Sequence, residues 1–195
     1  RNEDLPYVKD LCMLASLIIE RNRMYSNLFV DEHTGLSAHN VWKGYFAEES
    51  ARAVRYAQTL SLVIADIDNF KHIVGETNAE FASQVTGTCG HIIGRALRDT
   101  DTASCVQERF FILLPNTDVA GAVYLTGRIK EAIENTSLEF DGRKLTLTIS
   151  AGIASYPETT SDIRNLLKSS VVAATQAREA GGNRAVIYKP DTRSM

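Results

Sequence analysis

Runs of like charge, paired cysteines and long apolar stretches are all missing from this sequence, and each absence closes off a class of function. Acidic and basic residues number 24 and 21, for a net charge of -3, and no basic cluster supplies the footprint a polyanion requires. Nucleic acid is therefore not an expected partner. Cys12, Cys89 and Cys105 are odd in number, far apart and set in apolar surroundings with no C-x-x-C spacing, so they read as reduced core thiols of a cytoplasmic chain. The longest apolar run, Leu11 to Ile19, is interrupted by Ser16 and falls well short of the ~20 residues that cross a bilayer, which argues against direct membrane insertion. No signal-peptide pattern is visible, and a chain that starts at arginine reads as part of a longer protein with the question of an upstream anchor left open. The histidines, His33, His39, His72 and His91, are scattered and form no nucleophile and base pair. Repeats and low-complexity tracts are absent as well.

What remains is a chain of 195 residues, 44% hydrophobic, enough for one good core and an appendage. The expected division is an N-terminal signalling or linker helix over 1–30, a domain over 31–190 and a tail over 191–195. In the first segment Leu11, Leu14, Ile18, Tyr25 and Leu28 recur at helical spacing after Asp4 and Pro6, an apolar stripe that must pack on the domain or on a second copy as a coiled coil. In D-E-H-T-G-L-S, Gly35 is expected to end one helix and Ser37 to cap the next, whose buried face would carry Val41, Trp42, Tyr45, Phe46 and Ala53. Leu60 to Ile67 is almost wholly apolar and reads as a central strand covered on both faces, with Asp66 and Asp68 at its end. Asp68 reads as the cap of the turn that follows.

Glu80 to Leu97 is helical in period, weakened by Gly87 and Gly90. Ala103 to Pro115 reads as two strands joined by a tight turn at Gln107, Glu108 and Arg109. A helix capped by Thr117 or Asn116 should bury Val119, Ala122, Val123, Ile129 and Ile133. Asp141-Gly142 should turn a hairpin into Leu145 to Ser155, read as one half-buried strand. A last helix from near Ser161 should stop at Gly181-Gly182, before a closing strand at Ala185 to Tyr188. This order implies an α+β fold with a largely antiparallel sheet flanked by helices.

The blocks D-E-H-T-G-L, A-D-I-D-N-F-K, R-D-T-D, F-F-I-L-L-P-N-T-D, S-A-G-I-A-S-Y-P and A-G-G-N-R-A-V-I-Y together resemble the GGDEF domain of diguanylate cyclases, from Asp31 to Tyr188. The resemblance implies a palm-like, ferredoxin-like sheet of the nucleotide-cyclase kind. It also implies a family chemistry in which two GTP molecules are condensed into cyclic di-GMP across a dimer with the help of two metal ions.

The chain departs from that pattern at the site. The signature is here Val106, Gln107, Glu108, Arg109 and Phe110, so both glycines are lost and Arg109 stands in place of a carboxylate, a reversal that could attract anions. The positions that read guanine in the family align with Val74 and Ser83, which leaves base selection without its polar partners. Arg178 keeps a cation at the family's lysine position, whereas Gly182 replaces an arginine. Asp66, the carbonyl of Ile67 and Glu108 match the family's metal ligands and read as a remnant able to hold Mg2+ only weakly; no cofactor is required.

Arg98 and Asp101 match the family's inhibitory R-x-x-D element, and Arg128 matches the arginine that closes on cyclic di-GMP from the next helix. The plainer alternative is an ion pair between Arg98 and Asp101 with Arg128 a solvated helix residue. The expected function is thus a catalytically inactive GGDEF domain. It would act as a cyclic di-GMP receptor through Arg98, Asp101 and Arg128, as a regulatory homodimer, or through a partner signalling protein. A ligand-free scaffold and a residual GTP-binding domain or weak cyclase stand as alternatives.

Overall fold

The structure, a computed structural model, describes residues 29–190. The expected helix over 1–30, its coiled-coil stripe, Cys12 and the tail over 191–195 therefore lie outside the described residues, except for Phe29, which is helical, and Val30. Along the chain come α1 (His39–Tyr56), β1 (Leu60–Ile67), α2 (Phe70–Glu76) and α3 (Ala79–Ala96). They are followed by β2 (Thr102–Val106), β3 (Arg109–Pro115), α4 (Val119–Glu134) and the strands β4 (Ser137–Phe140) and β5 (Arg143–Thr146). The domain closes with β6 (Ile149–Tyr156), a 3-10 turn at Ile163–Asn165, α5 (Leu166–Glu179) and β7 (Ala185–Ile187).

The main sheet has the order β2-β3-β1-β6-β7, antiparallel throughout except for the parallel β6 and β7 pair. β1 lies at its centre and every residue in it is buried, because both of its faces are covered. On one face Val63, Ala65 and Ile67 pack with Phe110, Ile112 and Ile153 under α3 and α4, which supply Val85, Cys89, Ile93, Ile129 and Ile133. On the other, Leu60, Leu62, Ile64 and Leu113 pack under Trp42 of α1 and Leu166 and Ala174 of α5. Each fully buried leucine or isoleucine in these layers is worth roughly 1.5–3 kcal/mol relative to exposure. The two layers make β1 the part of the molecule with the least freedom to move.

Several local expectations are corrected. Leu145 to Ser155 is not one half-buried strand: the chain breaks at Leu147 and Thr148, β5 stays in a separate hairpin with β4, and β6 is buried on both faces. Its alternating small residues are not a solvent face but a seat for α5. A Cβ on Gly152 would come within 2.0 Å of the Ala174 backbone nitrogen and 2.2 Å of the Ser170 carbonyl oxygen, so only a glycine admits that helix. Gly87 and Gly90 likewise mark close packing in α3, since a Cβ at Gly90 would meet Thr34 Cβ at 2.5 Å.

Gly35 lies within the loop and not at a helix end, for Phe29 is the last helical residue before it and Val30 already bridges to Ser37. Ser37 does not cap α1: Ala38 holds that position with no side-chain bond, and the Ser37 hydroxyl pairs with Thr102 Oγ1 at 3.1 Å. Tyr45, half exposed, and Val123, 38% exposed, are not on the buried faces expected for them. Asp118, not Thr117 or Asn116, caps α4 by accepting from the Gly121 N–H at 2.8 Å. The last helix enters through the 3-10 turn, with Asp162 bonded to the Arg164 N–H. The short α2 is an addition to the expected order.

Candidate functional site

The ends of β1, β3, β6 and α5 meet at one edge of the sheet, where the backbone is held by pairing on both sides of β1. Asp66 faces Arg109 in the β1 and β3 register and Ser150 in the β1 and β6 register. Its carboxylate is 4% exposed and takes a two-pronged ion pair from Arg109, Nε to Oδ1 at 2.6 Å and Nη2 to Oδ2 at 2.8 Å. Arg178, from the last turn of α5, donates from Nη1 to Oδ2 at 3.4 Å. Such a fork is the strongest ordinary way to hold a carboxylate, because two parallel charge-assisted bonds share one rigid guanidinium. The Asp66 hydrogen bond, followed by the fields of Asp66 and Glu108, raises the Arg109 pKa against the opposing effect of burial, so this guanidinium stays charged.

The pairing corrects the expectation that Arg109 would present its charge to an anion, for that charge is spent on Asp66. It also tests the remnant metal site. Both Asp66 oxygens are engaged by guanidinium nitrogens, and a second arginine approaches one of them, so a divalent cation would meet two positive charges where it needs a free carboxylate. The residues present do not fit a metal ion, and among the described residues no group of three His, Cys, Asp or Glu side chains gathers to hold one.

Glu108 is half-buried at the turn. Its backbone carbonyl accepts the Ile67 N–H at 3.1 Å, which ties the turn to the end of β1. Gln107 occupies the positive-φ conformation, φ 57°, at a strain of about 1 kcal/mol for a residue with a side chain. Val106 is 41% exposed, while Phe110 is fully buried beneath the hairpin. Asp68 does not cap the following turn. It accepts from Thr148 Oγ1 at 2.7 Å, Ser150 Oγ at 2.6 Å and the Asn183 N–H at 2.9 Å, binding β1 to the start of β6 and to the loop before β7.

Beside the turn a cleft of about 510 Å³ is lined by Phe70, Val74, Ala82, Ser83, Gln107 and Glu108 among others. Val74 and Ser83, predicted from sequence to have lost base-reading capacity, are thus brought together in one cleft. The Ser83 hydroxyl lies 3.3 Å from His33 Nδ1. Cys105, at the next strand end, accompanies Cys89 as an inert thiol: burial pushes both up to about 12.

Arg98 and Asp101 lie in the turn between α3 and β2. Asp101 Oδ2 accepts the Arg98 backbone N–H at 2.9 Å, and the Asp101 N–H returns a bond to the Arg98 carbonyl at 3.0 Å. The carboxylate therefore holds the backbone and makes no ion pair with the Arg98 side chain, which is exposed; the expected alternative of a simple ion pair is corrected. Asp101 Oδ1 is buried with no hydrogen-bond partner among the described residues, and this burial raises the carboxyl pKa above its ordinary value. Arg98 and Asp101 line one depression of about 260 Å³. Arg128, on α4, lines a neighbouring groove of about 520 Å³ instead, its guanidinium 5.9 Å from the Tyr124 ring centre.

Two features escaped the sequence reading. The Asp66 and Arg109 fork depends on strand register, and its only linear trace is a cation one residue before Phe110. Arg95, which lines the same groove as Arg128, belongs to no motif and is placed opposite it only by the packing of α3 on α4.

Comparison with known proteins bears on what this edge descends from. The family model described as "Diguanylate cyclase, GGDEF domain" matches residues 28–184. Diguanylate cyclase A of Treponema denticola is 30% identical over 133 residues, covering 68% of this chain and 36% of that protein. A diguanylate cyclase of Vibrio cholerae is 27% identical over 180 residues, covering 92% of this chain and 56% of that one, so the chain spans only part of these relatives. Among solved structures, the coiled coil and GGDEF domain of DgcB from Caulobacter crescentus in complex with c-di-GMP superimposes with a TM-score of 0.78 at 16% identity, over 96% of this chain and all of that one. The active GGEEF domain of a diguanylate cyclase from Vibrio cholerae gives a TM-score of 0.69 at 28% identity, over 75% and 93%.

Proposed function

Because the chain belongs to the GGDEF-domain family of diguanylate cyclases, we propose that it works in cyclic di-GMP signalling as a regulatory domain that does not itself condense GTP. The observation that carries this reading is the Arg109 fork on Asp66. In this chain an arginine has taken the charge-neutralising place at the carboxylate, and it cannot bridge phosphate oxygens to that carboxylate as a divalent ion does. The apolar Val74 in the adjoining cleft supports the same conclusion, since it offers no hydrogen bond to a base edge. Incubation with GTP and Mg2+ or Mn2+, followed by chromatography, is expected to yield no cyclic di-GMP. Clear turnover would overturn the proposal.

The regulatory role is the binding of cyclic di-GMP at the end of α3, through Arg98, Asp101 and Arg128. The exposed guanidinium of Arg98, carried on a turn braced by Asp101, supports it. The signal would pass through the segment preceding Asp31 to a second copy or to a partner signalling protein, in the cytoplasm. Calorimetric titration of cyclic di-GMP is expected to show saturable heat that Arg98→Ala diminishes. No heat at high micromolar ligand would leave a ligand-free scaffold.

A further inference from the structure

At the end of the sheet opposite Asp66, the turn after β6 and the start of α5 border a cavity of about 420 Å³, within the size range of sites that take small molecules. Its rim is fixed before anything binds. The Thr159 hydroxyl accepts the Ser155 N–H at 2.9 Å, the Thr160 hydroxyl donates to the Asp162 carbonyl at 3.1 Å, and both threonine N–H groups return to the Ser155 carbonyl, at 2.8 and 3.2 Å. Ser169 lines the cavity and is 3% exposed, yet its hydroxyl bonds to no described residue. Its neighbour Ser170, also buried in the same helix, donates its hydroxyl to the carbonyls of Leu166 at 2.8 Å and Leu62 at 3.2 Å. A buried helical serine without such a back-bond is left with an unmet hydrogen bond unless something in the cavity supplies it.

The described lining is rich in donors and contains no acid. Ser161, Asn165 and Lys168 belong to it, and their side chains bond to no described residue. Lys168 stands in the first turn of α5, which carries no acidic residue. A cation there adds to the positive end of the helix dipole, an unfavourable position that a bound anion reverses. The two carboxylates that precede it most closely are engaged elsewhere. Asp162 takes a fork from Arg164, Nε to Oδ1 at 3.0 Å and Nη2 to Oδ2 at 2.9 Å, and Glu158 accepts the Val119 N–H at 3.2 Å.

We propose that this cavity binds a phosphate monoester, with the Lys168 ammonium and the hydroxyls of Ser169 and Ser161 on the phosphate and the small organic part against Tyr188 and Val172. A phosphate suits the set better than a carboxylate, because its three terminal oxygens accept from all of these donors and from the Asn165 amide at once. The site is separate from the cyclic di-GMP reading and does not depend on it. α5 joins it physically to the signature edge, since the last turn of the same helix carries Arg178 to Asp66.

The test is an NMR titration of the 195-residue chain, following backbone amide shifts with glycerol 1-phosphate, inorganic phosphate and acetate in separate arms. Both phosphates should give saturable shifts centred on Ser161 to Val172, and acetate should not. Lys168→Ala and Ser169→Ala should each weaken glycerol 1-phosphate by about tenfold, while Lys144→Ala, at an exposed lysine of β5, should not. Without ligand, Ser169→Ala should melt no lower than the parent, because the hydroxyl it removes bonds to no described residue. A response to acetate equal to that of the ester would overturn the phosphate assignment, and a response to inorganic phosphate alone would mark an adventitious ion only. Absence of saturable shifts, unchanged binding in Lys168→Ala, or a lowered melting temperature in Ser169→Ala would overturn the site itself.

Discussion

Arg109 has the largest single effect on this edge of the molecule, because it neutralises a carboxylate that is almost wholly buried. Arg109→Met should therefore cost about 3 kcal/mol, most of it the penalty of leaving Asp66 charged with only the longer contact to Arg178. Urea unfolding measures this directly. The double variant Asp66→Asn with Arg109→Met should be the more stable of the two, since it removes the orphaned charge along with its partner. A loss well under 1 kcal/mol in Arg109→Met would mean that solvent, not Arg109, satisfies the carboxylate.

Asp101 predicts a pH dependence of opposite sign to that of an ordinary ion-paired carboxylate. Burial, the largest cause, raises its pKa above the usual 3.8, and the Arg98 N–H bond and charge only partly offset this. A folded pKa above the unfolded one means that the protonated group contributes its full stability below the unfolded value and loses that contribution as pH rises through the folded value. The parent should thus lose stability relative to Asp101→Asn as pH rises from the ordinary value of 3.8 through the raised folded one. Urea titrations at the two ends of that range check the sign; a difference that does not change with pH would contradict it.

At the scale of elements, β6 and α5 behave as one unit because Gly152 lets the helix backbone sit directly on the strand. Gly152→Ala should destabilise by about 3 kcal/mol or prevent folding, as the added carbon has no flexible neighbour to displace. A melting temperature close to that of the parent would show that α5 can lift from the sheet without loss. Most elements were legible in linear order: the apolar run of β1, the hairpin around Gln107 and Glu108, and the periods of α3, α4 and α5 all appear where expected. The failures have a common cause. Leu145 to Ser155 alternates like a half-solvated strand, but its small residues face a helix, and alternation of size looks the same as alternation of polarity when serine, glycine and alanine carry both. Caps failed for a related reason: Ser37, Asn116 and Asp118 are all competent acceptors, and the tertiary placement of the loop chooses among them.

For the whole molecule, the two-sided burial of β1 predicts a graded stability. Among the described strands, amide hydrogen exchange should be slowest in β1, β3 and β6 and fastest in the β4 and β5 hairpin, which pairs with no other described strand and exposes much of its length. Protection in that hairpin equal to β1 would mean that the domain unfolds only as a single unit.

By itself the sequence determined the family and the order of the elements, because hydrophobic period and turn residues are properties of neighbours along the chain. It also determined that the signature turn had lost both glycines and gained a cation. Only the tertiary structure decided what that cation does, since whether Arg109 faces a phosphate or Asp66 depends on the register of two strands that lie 43 residues apart at the contact. The same holds for Arg95 and Arg128. Their common groove follows from helix packing, which brings together side chains that no local pattern relates.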